Sequence, residues 1–107
     1  MARLNNIHII GNVGSTRDLK YTKSGMAVFE FSVAVNGYRQ SDTPDWFSVT
    51  TWEGLAETCS QFIKTGMQVM VEGSAHVEAY INKNNEPVGV LKINANDVQF
   101  LAGTDDE

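Results

Sequence analysis

The side-chain pattern of this chain predicts an all-β domain, a five-stranded Greek-key barrel with one helix between strands three and four. Three observations lead there: apolar residues recur at every second position over long stretches, one short segment switches to a helical period, and Asn-, Gly- and Pro-rich segments punctuate the alternation. The first strand is predicted over Leu4 to Val13. From Met26 to Asn36 the positions Ala27, Phe29, Phe31, Val33 and Val35 are apolar while Glu30, Ser32 and Asn36 alternate with them, which is the pattern of a half-buried strand. A third strand is predicted over Asp45 to Glu53. The helix follows, because Leu55, Cys59, Phe62 and Ile63 fall at i, i+4, i+7 and i+8, with Gly66 placed to end it. From Met67 to Ile81 the residues Val69, Val71, Gly73, Ala75, Val77, Ala79 and Ile81 keep one parity. The last strand is predicted over Val88 to Asn94, restarting after Asn96 and running to Phe100. Asn36 to Pro44 reads as a loop and Asn82 to Pro87 as a hairpin loop. The order β-β-β-α-β-β is that of an OB-fold barrel; an open five-stranded meander fits the order too, but strands of this length favour closure, since long open edges invite aggregation.

The length of 107 residues suits one domain, and 42% hydrophobic residues with 9 Gly and 2 Pro is a folded composition. The domain is predicted over 1–101, with a short acidic tail over 102–107. A single cysteine, Cys59, excludes an internal disulfide and a Cys-rich zinc site. The N-terminus has no apolar signal region and no apolar run is long enough to span a bilayer, so the expectation is a soluble, cytoplasmic protein. Eight Lys+Arg stand against 13 Asp+Glu, a net charge of −5. Three of those acids, Asp105, Asp106 and Glu107, end the chain; without them 8 basic residues face 10 acids, a balance of −2. Any affinity for phosphates must therefore come from local placement.

The third strand carries the chemistry. By alternation Phe47, Val49 and Thr51 share the core face, so Trp46, Ser48, Thr50 and Trp52 point outward, with the two indoles roughly 20 Å apart along the strand. Two tryptophans on a face of Ser and Thr have two readings. One is a stacking surface for single-stranded bases, each base contributing about 1–3 kcal/mol whatever its identity. The other is burial of the face against the helix or a second subunit. Tyr80, on the polar parity just before the hairpin loop, and Tyr38, in the loop between strands two and three, have two readings, an extension of the aromatic track or plain loop and rim tyrosines. Arg39 and Lys83 lie near those two loops as the cations placed to meet phosphates. Arg3, Arg17, Lys20, Lys23, Lys64 and Lys92 lie elsewhere and read as solvated charges.

Catalytic patterns are weak. His8 and His76 are single and lack metal-ligand spacing, so no metal or cofactor is expected. Gly11-Asn12-Val13-Gly14 lacks the Gly-Lys-Ser/Thr of a phosphate loop and reads as a tight turn. Cys59 sits on the helix's apolar stripe as an inert thiol, and Asp42, Asp45 and Glu53 have no acid/base partner, so an enzyme is not expected.

Several blocks in order resemble the bacterial single-stranded DNA-binding protein family. They are Gly11-Asn12-Val13-Gly14, Leu19-Lys20-Tyr21-Thr22, Ser24-Gly25, Ala27-Val28, Phe31-Ser32-Val33-Ala34, Asp45-Trp46, Leu55-Ala56-Glu57, Lys64-Thr65-Gly66, Gln68-Val69 and Val71-Glu72-Gly73. The resemblance covers about Asn5 to Leu101. It implies an OB-fold core in a homotetramer that binds single-stranded DNA without sequence preference, in replication, recombination and repair, as a nucleoid-associated cytoplasmic protein. It places Trp46, Trp52, Tyr80 and Tyr38 at the family's base-stacking positions. It also implies a first subunit interface around the first strand, where Leu4, Ile7, Ile9 and Ile10 are apolar on both parities. Phe47-Ser48 replaces the family's His-Arg, and His76 and Glu78 replace alternating basic residues, changes that weaken phosphate contact. The tail lacks the family's long linker and terminal Pro-Phe, so either it is shortened or recruitment of replication and repair proteins is absent. The alternative is an OB-fold protein-interaction or primosome-assembly module with weak DNA affinity.

Overall fold

The computed structural model describes residues 2, 4–37, 39 and 42–102. The elements are β1 (Ile7–Thr16), β2 (Lys20–Tyr21), β3 (Ala27–Val35), β4 (Asp45–Trp52), α1 (Glu53–Phe62), β5 (Gln68–Ile81) and β6 (Pro87–Ala102). They form one mostly β sheet in the order β1-β5-β6-β4-β3-β2, with a further pairing of β1 to β3. The pairings among the five long strands therefore lead from β1 back to β1. All are antiparallel except β4 with β6. That parallel pair needs a crossover, and α1 and β5 provide it.

The period of 2 produces the core. On β3 the residues Ala27, Phe29, Phe31 and Val33 are buried while their neighbours are half-buried, as the alternation requires. Val33, Val49, Val69, Val71 and Ile93 lose all contact with water; each such aliphatic side chain contributes about 1.5–3 kcal/mol. Thr51, also fully buried, donates its hydroxyl to the Phe29 carbonyl at 2.8 Å, which removes the cost of an unpaired polar group. One face of α1 closes the core with Ala56 and Cys59, and Ile63 follows just beyond the helix.

Several expectations change. Strand β1 begins at Ile7, not Leu4, and Leu4 is 91% exposed. Gly11 and Gly14 lie inside β1 and form no tight turn. A Cβ on Gly11 would stand 2.4 Å from the Ala34 carbonyl oxygen, so this glycine permits a close approach of strands. Between Val13 and Thr16 the β3 partners advance by only two residues, a one-residue bulge that ends the strand with a twist. The helix starts at Glu53, which adopts φ 57°, and ends at Phe62. Gly66 does not cap it; at φ 91° it sits in the following turn, where its N–H donates to the Val13 carbonyl at 2.7 Å. Phe62, predicted on the buried stripe, is 54% exposed against Phe100, and Ala56 fills the helix's core face in its place. The last strand is continuous over its 16 residues, and β2 was not anticipated because two residues carry no period.

Candidate nucleic-acid interface

Directly paired residues of neighbouring strands share a sheet face, so the strand registers determine what surrounds the outward side of β4. Trp46 pairs with Ala34, Ser48 with Ser32 and Lys92, Thr50 with Glu30 and Asn94, and Trp52 with Val28. Lys92 pairs onward with His76, and Val28 with Lys20. The two tryptophans thus stand at the ends of a mostly polar outward strip, 54% and 39% exposed. Thr50 departs from the expected exposure: it is buried, and its hydroxyl donates to Glu30 Oε2 at 3.3 Å.

Trp46 reaches well beyond its own strand. A Cβ built on Gly14 would meet its Cζ3 at 2.4 Å and Cη2 at 2.7 Å, so the six-membered ring lies over Gly14 of β1. Strand β3 lies between β4 and β1, and the indole crosses it where its outward side chains are the small Ser32 and Ala34. Ser32 is held there, its Oγ accepting the Ser15 N–H at 2.9 Å. Trp52 closes β4 as the residue preceding α1, in extended conformation at φ −128°.

Tyr80, 54% exposed, projects from the hairpin of β5 and β6 opposite Val88. It lines a groove of about 350 Å³ with Arg17, Ser48, Glu78, Ala79, Val90 and Lys92. The groove brings β4, β5 and β6 together beside the Trp46 end of the strip. Its cations are not the predicted ones. Lys83 sits in the hairpin turn and Arg39 in the loop leading to Trp46, where its N–H donates to Asp42 Oδ2 at 2.9 Å. Tyr38 lies outside the described residues. Lys92, read from the sequence as a solvated charge, did carry a signal that could have found it: its parity is opposite to that of Leu91 and Ile93, which puts it on the outward face. Arg17 carried no such signal, because the bulge at the end of β1 decides where it lies.

Each groove cation already faces a carboxylate. Lys92 Nζ is 3.2 Å from Glu78 Oε1, and His76 Nε2 is 3.4 Å from Glu78 Oε2. The hydrogen bond from Lys92 foremost, followed by its charge and the His76 contact, holds the Glu78 carboxyl below its ordinary range. Arg17 Nε lies 3.9 Å from Glu30 Oε1. Burial foremost, reinforced by the Asp97 charge, pushes the Cys59 thiol up to about 11, which leaves it protonated and unreactive at neutral pH.

Residues 4–101 match the Single-strand binding protein family. The chain belongs to that family. Among single-strand binding relatives, the Single-stranded DNA-binding protein 1 of Chlorobaculum tepidum is 32% identical over 113 residues, spanning 98% of this chain and 70% of that protein. The Single-stranded DNA-binding protein of Xanthomonas campestris pv. campestris is 31% identical over 110 residues, and the match covers 96% of this chain but 64% of the relative. The Single-stranded DNA-binding protein 1 of Synechocystis sp. is 29% identical, with 96% and 88% covered. No helix among the described residues is long and apolar enough to cross a membrane.

Proposed function

We propose that this protein binds single-stranded DNA without sequence preference and protects it during replication, recombination and repair. Residues 1–101 act as an OB-fold barrel and 102–107 as an acidic tail. Bases stack on Trp46, Trp52 and Tyr80, with Tyr38 extending the track. Arg17 and Lys92 meet phosphates in the groove, and Arg39 and Lys83 meet them at the loop tips. A homotetramer in the cytoplasm, at the nucleoid, lengthens the path of one strand over several barrels, and the protein acts by binding, without catalysis. The observation that carries this reading is the outward strip of β4: two partly exposed indoles flanking Ser and Thr, beside a groove with Tyr80 on its wall.

The test is intrinsic tryptophan fluorescence during titration with an oligo-dT at two salt concentrations. Strong quenching with a shallow salt slope is expected, and Trp46→Ala and Trp52→Ala should each weaken binding by about 1–3 kcal/mol. Unchanged affinity in both variants overturns the stacking reading. A second reading, a protein-interaction module on the same scaffold, draws support from the carboxylates that occupy both groove cations. Absence of quenching at low salt would favour it.

A further inference from the structure

We infer that Gly14 is a positioning residue for Trp46, and that its missing side chain sets the angle at which that indole is offered to a base. This rests on the proposal that Trp46 stacks. A stacking ring needs one face free and its edge and other face supported, or the arriving base must order it first. Trp46 has that arrangement: it is 54% exposed, yet its six-membered ring lies over the backbone of Gly14, two strands away on β1. Beside that floor stands the Ser32 hydroxyl, held by the Ser15 N–H at 2.9 Å and paired with the Ser15 hydroxyl at 3.0 Å. A Cβ at position 14 would stand 2.4 Å from Cζ3, 2.7 Å from Cη2 and 3.0 Å from Ser32 Oγ. Carbon atoms pack at about 3.5–4.0 Å, so the indole would have to lift off the sheet by about an ångström. The backbone itself does not demand glycine, since Gly14 is not among the residues with positive φ. The close approach of the indole is what excludes a side chain here. Gly14 touches no base; it acts through Trp46.

The test compares the affinity of the wild type, Gly14→Ala, Trp46→Ala and the double variant for a fluorescein-labelled oligo-dT by anisotropy. Trp46→Ala should weaken binding at least about fivefold. Gly14→Ala should weaken it by a similar factor, and the double variant should bind no worse than Trp46→Ala alone, because the ring through which Gly14 acts is gone. If Trp46→Ala leaves affinity unchanged, the stacking reading itself fails. If Trp46→Ala weakens binding but Gly14→Ala does not, or costs the same factor in both backgrounds, the positioning role is overturned while stacking stands. Should Gly14→Ala not fold alone, the pair Trp46→Phe and Gly14→Ala/Trp46→Phe replaces it, since the smaller ring lacks the clashing atoms. Recovery of folding and equal affinity in that pair support the inference, and a pair member that still fails to fold because of position 14 overturns it.

Discussion

The two halves of β5 have the same alternation in sequence and opposite fates in the structure. In Gln68–Gly73 the apolar parity, Val69, Val71 and Gly73, is buried; in Ser74–Ile81 the same parity continues through Ala75, Val77, Ala79 and Ile81 and emerges into water. The first half pairs with β1 on one side and β6 on the other, whereas beyond Gly73 only β6 accompanies the strand. Asn5 marks the boundary, its side chain donating to the Ala75 carbonyl at 2.7 Å and accepting the Ala75 N–H at 2.9 Å. Alternation therefore reports which side chains share a face, and a third element decides whether that face is covered. The covered half builds the core, and the uncovered half carries Tyr80 and Glu78 into the groove.

The sharpest way to break this comparison uses its glycines. A Cβ on Gly73 would stand 2.1 Å from the Asn94 carbonyl oxygen, while one on Gly89, in the distal hairpin, finds only Val77 Cγ1 at 4.0 Å. Gly73→Ala should lower unfolding stability in urea by about 3 kcal/mol and Gly89→Ala should change it by less than about 0.5 kcal/mol. Equal effects would refute the division of β5. Next come the valines: Val71→Ala leaves a cavity and should cost on the order of 2 kcal/mol, whereas Val77→Ala, already 65% exposed, should stay within about 0.5 kcal/mol in the same assay. Tyr80→Ala separates folding from binding. Stability should hold while oligo-dT affinity falls by about 1–2 kcal/mol, and an unchanged affinity would remove Tyr80 from the track.

The smallest effect concerns Glu78. Freeing Lys92 from its carboxylate with Glu78→Gln should tighten binding at low salt and steepen the slope of log K against log salt by about 0.7. A slope identical to the wild type would show that Lys92 meets no phosphate. The same variant tests pH. Because the Glu78 carboxyl is held below its ordinary range in the folded protein, its ion pair is present above the unfolded carboxylate pKa of about 4.3 and is lost as pH falls through the lowered value. Glu78→Gln should lack that weak acid limb in a thermal-unfolding series.

The outward strip of β4 was legible before the fold, because a strand's period of 2 places Trp46, Ser48 and Trp52 on one face whatever the neighbours are. Tyr80 was legible for the same reason. The cations were harder. Proximity in sequence pointed to Arg39 and Lys83, while register across β4, β6 and β5 brought Lys92 to Ser48, and the β1 bulge delivered Arg17. Gly14 was misread as a turn residue, since glycine admits a turn and a close approach equally well, and the partner that explains it lies 32 positions away in the chain.

From the sequence alone came the faces of the strands and one helix with its place in the order, because periodicity and propensity are local quantities that neighbouring residues decide. Only the tertiary structure decided which stretches of those faces are covered, which charges meet in the groove, and that an indole on β4 rests on a glycine of β1. Those depend on register, bulges and strand ends, where residues far apart in the chain come within contact distance, and no local period encodes that distance.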